Sequence, residues 1–497
     1  MKTITKLFAA SICCFCCLFS VQAQESTDAS VEKMKLTIEQ AVNYALENSK
    51  SLKSSAIDLE IAKRANTYSW NALLPSASIS GTLARSNNID SVKQGMKSSA
   101  YIADLYNPKG PSYTIADIMD PDSPKVSKAV DQMFNGMYDS EETARWHPVG
   151  SLSFQWNFNL AIIESMIITK KKYEGGQISW DKSCNETELQ IRQLFYGILM
   201  MQEKVRIDEE SLANSEARMK QAEINYRNGQ VPELSLLNSR VTYLNKKPEV
   251  EWERQQLTQQ IDMLAFVLGI PYGQEIELEG SIDDDYSKLH EQLGSLDAES
   301  LYEKFVNQNP SILALKNGIE LQKKGITASN LKTFTPSLSI AWGLNPTVSN
   351  ITKNWFDKEN YSEGGRLTLT LAYQNLFDML PFSANMQSIK DQKQNLAKSE
   401  LQLEQLYQKT EMTIHNSVAD IKKSLDNIQS MNRNIEVAQA AYNSTLRGYN
   451  NGSQEELAVK DAETSLRQAK LGLTNEKYTF ITTVLKLENE LNTKLTK

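Results

Sequence analysis

Residues 160–228 contain no proline and carry apolar side chains three and four residues apart along much of their length. Read as one helix rising about 1.5 Å per residue, this stretch is roughly 100 Å long. No ordinary globular core encloses a rod of that length. Residues 383–448 repeat the pattern, and residues 453–495 form a further helix-period run. Another helix fits over residues 232–268, with Pro232 in its first turn and Gly269 and Pro271 as its stop. Pro248 lies inside that run and is expected to mark a kink or short break. Runs of this length read as coiled coil, in which each helix buries its apolar stripe against other helices.

Four short segments interrupt the helices. Residues 76–85 (SASISGTLAR), 150–158 (GSLSFQWNF), 337–344 (SLSIAWGL) and 365–375 (GRLTLTLAYQN) alternate apolar and polar side chains. Each is about as long as one tilted transmembrane strand. Four strands do not close a barrel, and an open sheet in lipid leaves backbone groups unpaired. Strands in a membrane must therefore be pooled from several chains. On a soluble protein the same segments make two ordinary hairpins.

The two halves repeat one another. Asn48-Ser49 corresponds to Asn309-Pro310, and Leu74-Pro75-Ser76 to Thr335-Pro336-Ser337. Phe158-Asn159 corresponds to Phe377-Asp378, and Tyr226-Arg227-Asn228-Gly229 to Tyr449-Asn450-Asn451-Gly452. The order in each half is helix, strand, strand, long helix, Tyr-x-x-Gly turn, helix. Such a repeat is far longer than a solenoid unit and reads as duplication of a whole structural half. The first half differs by a long connection, residues 87–148, whose PKGPSY and MDPDSP segments mark it as loop. The matching connection in the second half, about 345–364, is short.

The amino terminus reads as an export signal. Lys2 and Lys6 form a basic n-region, residues 7–21 an apolar h-region, and Val21-Gln22-Ala23 a cleavage site. No small residue precedes any of the first four cysteines, as a lipoprotein signal requires, so ordinary cleavage before Gln24 is expected. Those four cysteines leave with the signal, and Cys184 alone remains, so no internal disulfide can form. No later segment is apolar for long enough to make a transmembrane helix. The balance of 53 Lys+Arg against 61 Asp+Glu argues against a nucleic-acid partner. His147, His290 and His415 stand far apart, with no HExxH pattern or zinc-type cysteine pair. No glycine-rich phosphate loop follows a strand. The chain is therefore expected to be no enzyme and to hold no cofactor.

At this point the sequence resembles the TolC family of bacterial outer-membrane efflux proteins. The resemblance rests on LTIEQAVNYALENS (36–49), the Leu-Pro-Ser-x-Ser-Ile strand entry, YRNGQVPELSLLNSR (226–240) and YNNGSQEELAVKDAE (449–463). It implies a mainly α fold with membrane β structure. A homotrimer pools four strands per protomer into a twelve-stranded barrel, continued by a long periplasmic coiled-coil tunnel. The expected organisation is a signal peptide over 1–23, a first repeat over 24–269, a connector over 270–296 and a second repeat over 297–497. Strands are expected at about 76–87, 149–158, 337–344 and 365–376, and the long helix pairs at about 160–269 and 380–495.

The resemblance also implies the function and its sites. The chain would be the outer-membrane exit channel of a tripartite efflux or type I secretion system, passing substrate passively. Its partners would be outer-membrane lipid, a periplasmic adaptor (membrane fusion) protein, and an inner-membrane pump of the resistance-nodulation-division or ABC type. The hairpin tips would dock the adaptor through Gly229, Gln230, Val231, Gly452 and Ser453. The periplasmic gate would comprise Tyr226, Tyr449, Gln454, Glu455, Glu456 and Asp461. Of the family's two gate aspartates only Asp461 is kept, the other position being Ala458, and the family's closing arginine falls at Gln454. Trp146, Trp156, Phe158, Trp342, Tyr373 and Phe377 would mark the membrane interface. A plain helix-hairpin turn accounts for the glycines equally well, and a solvated first turn for the acids. The competing reading is a secreted or periplasmic structural coiled coil or adhesin with no lumen.

Overall fold

The computed structural model describes residues 34–495 apart from 106–108, 110–113, 115, 118, 119, 121, 122, 272, 294, 295, 358–360, 374 and 452. The expected export signal lies outside the described residues. Helix α1 (Ile38–Asn48) starts on a reciprocal cap: Thr37 accepts from the Gln40 backbone while the Gln40 side chain accepts from the Thr37 backbone. It is followed by α2 (Lys50–Thr67) and strand β2 (Ser76–Arg85), β1 being the short strand Met34–Leu36. After an intervening segment come β3 (Trp146–Phe158) and the first hairpin, α6 (Ala161–Arg227) with α7 (Glu233–Leu268). The second half runs through α10 (Pro310–Phe334), β5 (Ser337–Leu344) and β8 (Arg366–Ala372). It ends in a second hairpin, α11 (Ala384–Asn450) with α12 (Glu456–Leu491).

The two hairpins match in length. α6 and α11 have 67 residues each, and α7 and α12 have 36 each. α7 ends where Gly269 adopts the left-handed conformation, φ +82°. Pro248 does not interrupt it: the helix runs through, because Pro248 and Leu244, whose carbonyl loses its donor, both face solvent.

Strands β2, β3, β5 and β8 form an antiparallel sheet in that order, and a small hairpin of β6 (Thr347–Val348) and β7 (Tyr361–Ser362) extends from β3. Register divides the sheet into two faces. Ile79 pairs with Leu152, Phe154 with Trp342, Trp156 with Ile340, and Leu338 with Leu371. On the other face Ser78 pairs with Ser153, Asn157 with Ser339, Ser339 with Thr370, and Ala341 with Thr368. A one-residue slip would exchange the faces throughout, so this register is the one the alternation specifies. The apolar face is not covered by the chain: Ile79, Leu83, Leu367, Leu369 and Leu371 are all well exposed.

The main core lies along the helices, away from the sheet. Ile191 and Phe195 of α6, Leu264 and Leu268 of α7, Ile414 of α11, and Phe480, Val484 and Leu487 of α12 meet there with α1. The stretch between the repeats supplies β4 (Ile276–Leu278), parallel to β1, with α8 (Ile282–Gln292) and α9 (Ala298–Phe305) beyond it. Asn309 caps α10 by accepting from the Ser311 and Ile312 backbones, and it donates to the Glu490 carbonyl at 3.0 Å.

The connection over 87–148 departs from its loop reading. It contains α3 (Asp90–Leu105), α4 (Pro124–Met137) and α5 (Glu141–Ala144), which close on Ile89, Met96, Val126, Val130, Phe134 and Tyr138. The reason is visible at four-residue spacing: Val126, Val130 and Phe134 form one helical stripe, started by Pro124 at the first helical position. Asn350 and Thr352, in the second connection, bond to the Met137 carbonyl and the Asp139 carboxylate at 3.0 and 2.5 Å. The two connections are thereby packed together beyond one end of the sheet.

Candidate gate at the hairpin tips

The two hairpin turns are built alike. In the first, the Gln230 N–H donates to the Asn225 carbonyl at 2.8 Å and the Gly229 N–H to the Tyr226 carbonyl at 2.9 Å. Gly229 has φ +68°, a conformation that favours glycine. In the second, the Ser453 N–H makes the equivalent bond to the Gly448 carbonyl at 2.8 Å, and the Ser453 hydroxyl donates to it too. Here the turn folds against its own helix. A Cβ on Gly448 would stand 2.6 Å from the Gln454 side chain. Gln230 and Ser453 are exposed at the tips, Val231 is half-buried, and Gly452 lies outside the described residues.

The gate candidates do not share one environment. Tyr226 is exposed, whereas Tyr449 is half-buried, and burial, with Glu456 nearby, raises its phenol pKa. Gln454 packs on Gly448, and Glu455 stands exposed at the N-cap of α12. Glu456 accepts from the Ser239 hydroxyl of α7 at 2.7 Å, so it joins the two hairpins. Asp461 is exposed.

Two residues beyond Asp461 lies a buried charge that the sequence reading missed. Glu463 is only 5% exposed and accepts from Ser211 of α6 at 2.8 Å, from Arg218 of α6 and from Lys246 of α7. Lys246 in turn donates to the Ser211 hydroxyl. Burial lowers the Lys246 pKa, and Glu463 opposes that shift. Further along, Arg467 of α12 reaches Asp208 of α6 at 2.7 Å, and Lys470 reaches Glu210 at 3.2 Å. Apart from the Lys246–Ser211 bond within the first hairpin, each of these contacts joins the second hairpin to the first. The available signal was positional: Glu463 stands four residues after Val459 and three before Leu466, inside a buried stripe.

The aromatic candidates fall at two ends of the sheet. The Trp146 indole donates to Glu142 at 3.3 Å at the start of β3. At its other end Trp156 donates to the Leu73 carbonyl at 2.7 Å and lies 6.2 Å from Phe158. Trp342 lies 5.6 Å from Phe154 on the apolar face, and Tyr373 and Phe377 are exposed just past β8. Among the described residues no three His, Cys, Asp or Glu side chains gather as a metal cluster. Burial, then the Asp181 charge, raises the Cys184 thiol pKa. No described helix is long and apolar enough to cross a membrane.

Comparison with known proteins places this geometry. A sequence model of the outer membrane efflux protein family matches residues 301–493. No curated protein matches the chain. Among solved structures, CusC, described in terms of folding and transmembrane channel formation, is 16% identical with a TM-score of 0.66, covering 94% of this chain and 95% of that one. The Campylobacter jejuni outer membrane channel CmeC is 11% identical with a TM-score of 0.65, covering 91% and 85%. The open state of the Neisseria gonorrhoeae outer membrane channel MtrE is 12% identical with a TM-score of 0.64, covering 95% and 94%. These likenesses extend over nearly the whole chain, and the family match covers most of its second half. The chain shares the fold of these channels over nearly its whole length, and its residues 301–493 match the outer membrane efflux protein family.

Proposed function

We propose that this protein is the outer-membrane exit duct of a tripartite efflux or type I secretion assembly. The observation that carries the reading is the two-faced sheet. One face is apolar and left open by its own chain, as lipid requires, and the other is hydroxyl- and amide-lined, as a water-filled lumen requires. Among the described residues β2 pairs only with β3, and β8 only with β5. Three protomers closing β8 of one onto β2 of the next give twelve strands without an edge. The helices then continue the lumen into the periplasm, and the barrel lies in the outer membrane.

Conduction in this reading is passive. A pump of the resistance-nodulation-division or ABC type supplies energy, and a periplasmic adaptor docks on the tips at Gly229, Gln230, Val231, Gly452 and Ser453. Tyr226, Tyr449, Gln454, Glu455, Glu456 and Asp461 form the constriction, where three copies of each acid favour cations. Opening moves α12 away from α6 and α7. That movement must break the Glu463, Arg467 and Glu456 contacts, so these set how firmly the gate is held. Trp146 at one rim and Trp156, Phe158, Tyr373 and Phe377 at the other sit at the lipid interfaces, with Trp342 on the lipid face.

Extraction from outer membranes into detergent, followed by mass measurement and solute-permeation assays in liposomes, tests this reading. A three-copy particle that makes liposomes permeable to small solutes is expected. A water-soluble monomer that leaves liposomes sealed would support the structural coiled coil instead.

A further inference from the structure

Above the gate contacts, the packed helices α6 and α7 each bury a carboxyl group. Asp208 of α6 and Glu253 of α7 are 3% and 5% exposed. One oxygen of each is occupied: Arg467 donates to Asp208 at 2.7 Å, and Lys204 stands 3.0 Å from Glu253. The other two oxygens, Asp208 Oδ2 and Glu253 Oε2, are buried without a donor among the described residues. Lys204 stands one helical turn from Asp208 on α6, so its contact brings Glu253 to the same buried seam, where two carboxylates repel when both are ionised. One proton between them makes one oxygen a donor and satisfies both. A divalent cation fits less well, since each carboxylate already faces a positive side chain and, among the described residues, no third metal-ligating group joins them.

We propose that Asp208 and Glu253 share a single proton at neutral pH and that this proton clasps α7 to α6. The charged groups around the pair come from all three packed helices. α6 supplies Lys204. α7 supplies Glu249, 3.9 Å from Arg467. α12 supplies Arg467, and the Arg218, Lys246 and Glu463 cluster lies toward the tip. Burial first, and then Asp208, push the Glu253 pKa up to about 7 from an ordinary 4.5. The sign of the linkage follows. Between those two values the folded protein keeps a proton that the unfolded chain has lost, so stability falls as pH rises. The full chain thus loosens this hairpin as the surroundings pass from mildly acidic to mildly alkaline.

The test uses the full-length protein in detergent, with thermal unfolding and infrared spectra followed from about pH 5 to about pH 8.5. The wild type should lose thermal midpoint as pH rises through about 7. It should also lose a protonated-carboxyl band over the same interval. Glu253→Gln mimics the protonated partner and should keep the low-pH midpoint, with both changes abolished. An unchanged pH dependence in Glu253→Gln, or no carboxyl band lost near neutrality in the wild type, overturns the proposal. If Glu253→Gln does not fold, Asp208→Asn carries the test. Removing the neighbouring charge should move the loss of the band to lower pH, and an unmoved midpoint would contradict the shared proton.

Discussion

The second helices of the two hairpins have the same length and opposite surfaces. α12 buries Phe480, Ile481, Val484, Leu487 and Leu491, and Leu457 is its one large apolar side chain in the open. α7 leaves Leu234, Leu237, Val241 and Leu244 exposed at three- and four-residue spacing, with Trp252 and Phe266 beyond them. The shared length is what a duplicated half predicts. The difference reflects position: α12 is covered by α6, α8 and α11 of its own chain, whereas the α7 stripe has no such cover. An apolar stripe of this spacing matches another helix. In the trimer we propose, a neighbouring protomer provides it. In that assembly α12 would serve the protomer's own core, and the exposed stripe of α7 the contact between protomers.

Substitutions can break this contrast, the largest effect being expected in α12. Phe480→Ala empties a fully buried site and should cost the protomer about 3–5 kcal/mol, read as a lowered thermal midpoint. A comparable truncation on the α7 stripe, Trp252→Ala, should leave the isolated protomer nearly unchanged. Next, Glu463→Ala leaves the buried Arg218 and the half-buried Lys246 without their partner, at about 3 kcal/mol by denaturant unfolding. A loss below about 0.5 kcal/mol would show the cluster to be wet and unimportant. Leu237→Asp with Leu244→Asp should shift the detergent particle from three copies toward one while preserving helix content by circular dichroism. The smallest effect belongs to Asp461→Ala. We expect a reduced cation preference in reversal-potential measurements, by a few-fold at most for one exposed side chain near a mouth. Unaltered selectivity would remove Asp461 from the constriction.

Sequence periodicity disclosed the long helices because a stripe sustained over 67 residues has no other explanation. Alternation disclosed the strands, and the residues at 79, 152 and 340 already carried the apolar face. Other features were hidden for definable reasons. α4 is short and lies in a segment whose prolines and serines read as loop, although Pro124 was its start signal. Arg218 and Glu463 carry no mark of burial in the sequence, since a charge run does not reveal which side another helix covers. Their burial depends on α6 and α12 meeting, a contact between residues 245 positions apart. Pro248 was misleading in the opposite sense, because an exposed carbonyl tolerates the loss of its donor. The tip glycines were legible as turns, but the closing of Gln454 over Gly448 was not.

In the assembly we propose, three copies of this chain enclose a conducting lumen. Single-channel recording in a planar bilayer, using protein extracted from outer membranes, tests it most directly. Discrete conductance steps of one unitary size and a preference for cations are expected. Opening should be more frequent when the contacts between hairpins are weakened by Glu463→Gln. A three-copy particle that inserts into the bilayer and carries no current in either form would contradict a conducting lumen.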